Sequence, residues 1–142
     1  MATTGAETGS GRDPATTANT DRTRARLASG LVVGAYTLSA AYTLWRAWYG
    51  PTPEADGLDL LTIAGYVVAI AGGLALLTDH VRAWWTVTVL LVAQFVFAIV
   101  AYYPMTAAAR PLDVLDGIEG TVFVGLLAAA LVLCLQRLAD LR

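Results

Sequence analysis

The chain has 142 residues, of which 57% are hydrophobic and 14% charged, where an ordinary soluble domain carries about 25% charged residues. Its formal net charge is -2 and its mean hydropathy is +0.61. This composition excludes an ordinary soluble domain and offers no basic surface for nucleic acid.

Residues 1–21, "MATTGAETGSGRDPATTANTD", are Thr, Ala and Gly with a few charges. Such a segment buries too little apolar surface to offset its ordering entropy, so it is expected to be a disordered polar tail. Residues 22–142 are expected to form one membrane domain.

Four apolar runs come next, at about 27–48, 58–77, 83–103 and 115–135. Each is near the roughly 20 residues that cross a bilayer as a helix. In lipid the backbone must satisfy its own hydrogen bonds, so helices are the expected element. The first run is too long for the apolar segment of a signal peptide, about 7–15 residues. It also ends in Trp45, Trp48 and Tyr49, which read as an interface anchor.

The second and third runs are joined by "TDHVRA", which contains His80, the only histidine. Asp79 is expected to cap this turn, Arg82 to supply charge, and Trp84 and Trp85 to sit at the membrane interface. His80 needs no chemical role there. Tyr102 and Tyr103 are read as the interface belt that closes the third span. Short links make neighbouring helices antiparallel. The predicted fold is therefore all-α: an integral membrane four-helix bundle running up-down-up-down.

Arginine placement sets the expected orientation. Arg12, Arg22, Arg24, Arg26, Arg82, Arg137 and Arg142 fall on one side, and Arg46 and Arg110 on the other. The positive-inside rule then puts both termini in the cytoplasm of a cell-membrane protein. The basic residues are all Arg, with no Lys. Together with the acid excess and a pI near 5.1, this suits a salt-loving archaeon.

Few residues could carry chemistry. Cys134 is the sole cysteine, which excludes paired-thiol exchange and an intramolecular disulfide. One histidine cannot supply bis-His haem ligation within the chain. No zinc cluster or Gly-rich phosphate loop is present, and no cofactor or metal is expected. Glu54, Asp56, Asp59, Asp113, Asp116 and Glu119 read as an acidic, solvated outer rim with Arg46 and Arg110 available to pair with it. No Asp or Glu is placed deep in a span, so a proton-exchanging carboxylate is not expected.

Gln94, near the middle of the third run, shares a helical face with Ala98 and Ala101. It is expected to point at other helices and to bond a Tyr or Thr hydroxyl or a backbone carbonyl, worth about 0.6 kcal/mol. The alternative is a pocket inside the bundle, lined by Gln94, Tyr36 and Tyr66, that takes a quinone-like headgroup. Small residues recur as Gly30–Gly34–Thr37–Ala41, Gly65–Ala69–Gly72 and Gly117–Thr121–Gly125–Ala128. These stripes are expected to let the helices approach closely within one bundle, with a homo-oligomer face as the competing use.

Three segments carry a resemblance. "RARLASGLVVGAYTLSAAYTLWRAWYGP" (24–51) resembles the opening helix of DoxX-like membrane proteins. "AGGLALLTDHVRAWWTVTVLLVAQFVFAIV" (71–100) resembles their second hairpin, and "LDGIEGTVFVGLLAAALVLCL" (115–135) their last helix. The resemblance implies a four-helix bundle and, for some members, association with quinone-linked redox systems. Many relatives have a Glu in the second helix, and "TIAGYVVAIAGG" (62–73) has none. The expected function is a non-catalytic multi-pass protein, an accessory subunit of a membrane complex or a homo-oligomer. The alternative is a small transporter or redox protein with a pocket inside the bundle.

Overall fold

The structure is a computed structural model that describes residues 14–49, 60–109 and 111–141. The elements are α1 (Pro14–Tyr49), α2 (Leu60–Ala75) with a 3-10 turn at Leu76–Thr78, α3 (Val81–Phe97), α4 (Tyr103–Ala109) and α5 (Val114–Asp140). A π-helical turn at Ala98–Tyr102 joins α3 to α4, so the two form one continuous rod. Among the described residues there is no strand.

Four helices are long and apolar enough to cross a membrane: Asn19–Tyr49, Leu60–Thr78, Val81–Ala108 and Val114–Asp140. They contain or nearly coincide with the four apolar runs. Neighbours in sequence pack as neighbours in space, and α5 returns against α1 to close the bundle. The exterior is apolar, as a lipid-facing surface requires: Val67, Val89, Val96, Ile99 and Val100 are all exposed.

The first helix begins earlier than the composition predicts. Pro14 to Asp21 is helical, so α1 starts within the stretch read as a polar tail; residues 1–13 lie outside the described residues. Proline suits a first helical turn because its missing N–H has no partner there. Two ion pairs fasten the segment to the end of α5. Asp21 meets Arg137 Nη1 at 2.9 Å, and Arg24 pairs with Asp140.

The turn between α2 and α3 is built on Asp79. Its backbone is left-handed, at φ 53° and ψ 26°, and its N–H donates to the Leu76 carbonyl. Aspartate tolerates this conformation better than most residues. The Asp79 carboxylate accepts from Trp84 Nε1 at 2.9 Å and from Arg137 Nη2 at 2.9 Å. Arg137, which in the sequence speaks only to orientation, thus pins the turn to α5. Trp84, expected to face the membrane interface, is fully buried within the bundle. Its indole N–H has a carboxylate partner there, which removes the cost of burying it. Trp85 is 48% exposed. His80 is exposed at the start of α3, with Nδ1 2.9 Å from the Thr78 carbonyl oxygen.

The core lies near this Asp79 end. Ala25, Ala28, Val32 and Ala35 of α1 pack with Leu76, Trp84, Val87, Leu91, Leu127, Ala130, Cys134 and Leu138. Two of the three small-residue stripes expected to be packing faces are on the wrong side. Gly30, Gly34, Thr37 and Ala41 of α1 are exposed, as are Gly117, Thr121, Gly125 and Ala128 of α5. At 100° per residue they lie away from the buried faces of their helices, whereas Gly65, Ala69 and Gly72 of α2 turn inward and line a cavity within the bundle. An Ala/Gly-rich helix carries small residues at four-residue spacing on both sides, so spacing alone does not select the buried one. Close approach falls instead at Gly73, where an added Cβ would stand 2.9 Å from Val32 Cγ1 and 3.1 Å from Val33 Cγ2.

Gly73→Ala should therefore force α1 and α2 apart and destabilise the bundle by about 1–3 kcal/mol. Gly34→Ala, whose Cβ meets nothing within 4 Å, should leave it at or above wild-type stability. Thermal unfolding of both variants in the same detergent checks the contrast.

Candidate functional site

Away from the Asp79 end, a buried cation organises the junction of α1 and α5. The first turn of α5 is closed by a capping box. Asp116 N–H donates to Asp113 Oδ1 at 2.8 Å, and Asp113 N–H donates to Asp116 Oδ2 at 2.9 Å. These bonds satisfy orphan amides of the helix start and hold both carboxylates in place. Arg46, in the last turn of α1, reaches into them. Its Nη1 donates to Asp113 Oδ2 at 3.0 Å and lies 3.3 Å from Asp116 Oδ1. The same nitrogen donates to the Tyr42 hydroxyl at 3.0 Å, and that hydroxyl donates to Asp116 Oδ1 at 2.5 Å.

This cluster is not a solvated rim. The side chains of Arg46 and Asp116 are 6% and 10% exposed, and Arg46 Nε is buried without a partner among the described residues. The expectation of a rim is corrected for Asp116; Glu54, Asp56, Asp59 and Arg110 lie outside the described residues. The physical cause is helix geometry: Asp116 shares the inward face of α5 with Phe123 and Leu127, so winding α5 carries it inside.

Beneath the cluster the bundle widens into a cavity of about 660 Å³, lined by residues of all four spans. Gln94, Tyr36 and Tyr66, the three polar residues that stand out in the sequence, all line it. The Tyr66 hydroxyl lies 3.0 Å from Thr43 Oγ1 and 3.3 Å from Ser39 Oγ. The Tyr36 ring stands edge-on to Tyr66, with centroids 6.4 Å apart, and to Phe123 at 5.4 Å. This aromatic wedge keeps α1, α2 and α5 apart at the level where the core no longer fills the space.

Gln94 differs from expectation in one respect. It lies on the cavity wall, but its side chain makes no hydrogen bond to another described residue. Nothing polar faces it closely enough, because α2 and α3 touch least of the neighbouring helix pairs. The cavity reaches the surface between them, where Leu61, Val68, Leu90 and Phe97 are both lining and exposed. Its mouth therefore faces the apolar exterior.

Two contributors escape a reading of the sequence alone. The first is Glu119, which lies within the fourth candidate span and lines the cavity, with Ser39 and Asp116 as its neighbours. The sequence groups Glu119 with the outer acids, and the structure places it on the cavity wall, less than two turns into the fourth span. The signal is present: Glu119 stands three residues after Asp116 and four before Phe123, on the inward face.

The second is the pair Tyr102 and Tyr103. Both are expected to close the third span as an interface belt, and both also line the cavity. The cause is the π-helical turn, in which Tyr103 N–H donates to the Ala98 carbonyl five residues back. One added residue in the turn rotates the rest of the rod, and such insertions recur at functional sites. Pro104 supplies the reason for its place, since it lacks an N–H and its ring crowds the preceding turn. Tyr103 then packs against Gly120, where even a Cβ would collide with its hydroxyl.

Removing the Arg46 charge should leave the buried Asp116 carboxylate beside that of Asp113 with no cation between them. Arg46→Met is expected to cost about 3–5 kcal/mol. Replacing Asp113 and Asp116 by Asn in the same chain should restore most of the loss. Denaturant titration in detergent measures both steps.

Comparison of the chain with protein-family models, with curated proteins and with solved structures finds no match in any of the three.

Proposed function

We propose that this chain is a cell-membrane protein that binds a lipophilic small molecule, admitted from the bilayer between α2 and α3. The observation that supports this most is the cavity of about 660 Å³ with an unbonded Gln94 amide on its wall. Small-molecule sites typically occupy about 300–1,000 Å³ and combine apolar walls with a few convergent polar groups. An amide in an apolar surrounding gains from any partner. Here the described residues supply none, so a ligand carbonyl or hydroxyl would.

A second reading has its own support. The exposed stripe Gly30–Gly34–Thr37–Ala41 would let another transmembrane helix approach α1 closely. This suits an accessory subunit of a larger membrane complex, or a homo-oligomer, and it can coexist with ligand binding. The resemblance to DoxX-like proteins is retained as a proposal on the residues that carry it. We also propose that both termini are cytoplasmic, on the distribution of the arginines.

Two experiments test these readings. Protein purified in mild detergent should release a lipophilic compound on solvent extraction, close to one per chain by mass spectrometry. Ala69→Phe, which drives a ring into the cavity, should lose it. Gly65→Leu, at a position with open space around its Cβ, should reduce it while the bundle stays folded. Equal amounts from all three proteins would sink the cavity reading. For orientation, single cysteines at Ser10 and Thr52 in a Cys134→Ala background should label from the cytoplasmic and the outer side respectively. Labelling of both from one side would contradict the proposed topology.

A further inference from the structure

At the polar end of the cavity one described carboxylate stands apart from the ion pairs around it. Among the described residues, three carboxylates, those of Asp113, Asp116 and Glu119, gather where α1 meets α5 around one cation, Arg46. Asp113 and Asp116 are both engaged by Arg46 and by the start of α5. Glu119 is not. Among the described residues it has no cationic partner, and no Arg, Lys or His lines the cavity. Its polar neighbours are the Ser39 hydroxyl and Asp116, the second of which adds negative potential. A carboxylate among apolar walls is costly unless it is paired or neutralised.

The walls favour one kind of partner. Tyr36, Tyr66, Phe97, Tyr103 and Phe123 surround the same space as Glu119. Aromatic faces carry a negative quadrupole and attract cations brought within about 6 Å. A small hard metal ion does not fit this lining, because it needs several oxygen ligands. The described residues contain no group of three or more acidic, His or Cys side chains placed to hold one. A cation with its charge spread over an apolar body fits each feature. It partitions into the bilayer, reaches a mouth that faces lipid, stacks on aromatic rings and neutralises one carboxylate.

From this we infer that the cavity selects lipophilic monocations, such as a quaternary ammonium, a phosphonium or a protonated amine on an apolar body, with Glu119 as the counter-charge. The inference rests on the reading of the cavity as a site for lipophilic molecules. Glu119 acts by direct charge pairing, and Gln94 and the tyrosine hydroxyls by orienting the remainder of the ligand.

Two compounds of similar shape separate charge from apolar fit: methyltriphenylphosphonium and the uncharged triphenylphosphine oxide. Their saturable binding to the full chain in phosphatidylcholine nanodiscs can be measured by equilibrium dialysis. The cation should bind wild type at least about tenfold more tightly than the oxide, a difference of about 1.4 kcal/mol. Glu119→Gln should remove that preference by weakening cation binding, while Glu119→Asp should retain it. The wild-type comparison stands even if the variants fail to fold. Equal affinity for the two compounds, or full cation affinity in Glu119→Gln, would overturn the cation inference. If the oxide still binds and Ala69→Phe abolishes it, the cavity reading survives that loss. No saturable binding of either compound would overturn both.

Discussion

Within a bilayer, helices gain nothing from hiding apolar surface against one another, so how closely their backbones can approach decides which faces meet. In this bundle the closest approach is set by the small face of α1. Ala25, Ala28 and Ala35 are almost fully buried, and Gly73 brings α2 against Val32 and Val33. The helices are therefore held tightly near the Asp79 turn. Farther along, the inward residues become Tyr36, Tyr66, Tyr103 and Phe123, which are too large for the same approach. The cavity is the consequence of that change in side-chain size along the bundle.

Charge clusters act as clasps at the two ends of the helices. At one end Arg137 bridges Asp21 of α1 and Asp79 of the α2–α3 turn. At the other, Arg46 of α1 holds the capping box of α5. Each joins elements that lipid alone would not bring into register. Both clasps involve α1 and α5, and neither ties α2 directly to α3. The pair of helices that frames the cavity mouth is thus the pair with the least holding it shut, which suits a site that must admit a ligand from the side.

Much of the architecture is legible in the sequence, because the length of an apolar run is a one-dimensional property. The four spans and the all-α bundle come from it. So does the choice of Gln94, Tyr36 and Tyr66, since polar side chains stand out in an apolar run. Facing is far less legible. Gly30–Gly34 and Ala28–Val32 have the same spacing on opposite sides of α1, and only the partner's shape selects between them. Trp84 reads as an interface residue because its carboxylate partner Asp79 becomes apparent only when the turn is built. Glu119 groups with the acids of a rim, although counting from Asp116 to Phe123 places it on the inward face. The π-helical turn that swings Tyr103 inward has one sequence signal, Pro104, whose effect on the preceding turn is local and sterically clear.

At the centre stands the gap between α2 and α3, proposed as a ligand site rather than loose packing. The most direct measurement is an experimental structure of the chain determined in lipid. A ligand site requires α2 and α3 to remain apart, with elongated density in the cavity within hydrogen-bond reach of the Gln94 amide. A closed α2–α3 seam, with that amide bonded to a protein group and the cavity filled by side chains, would contradict it.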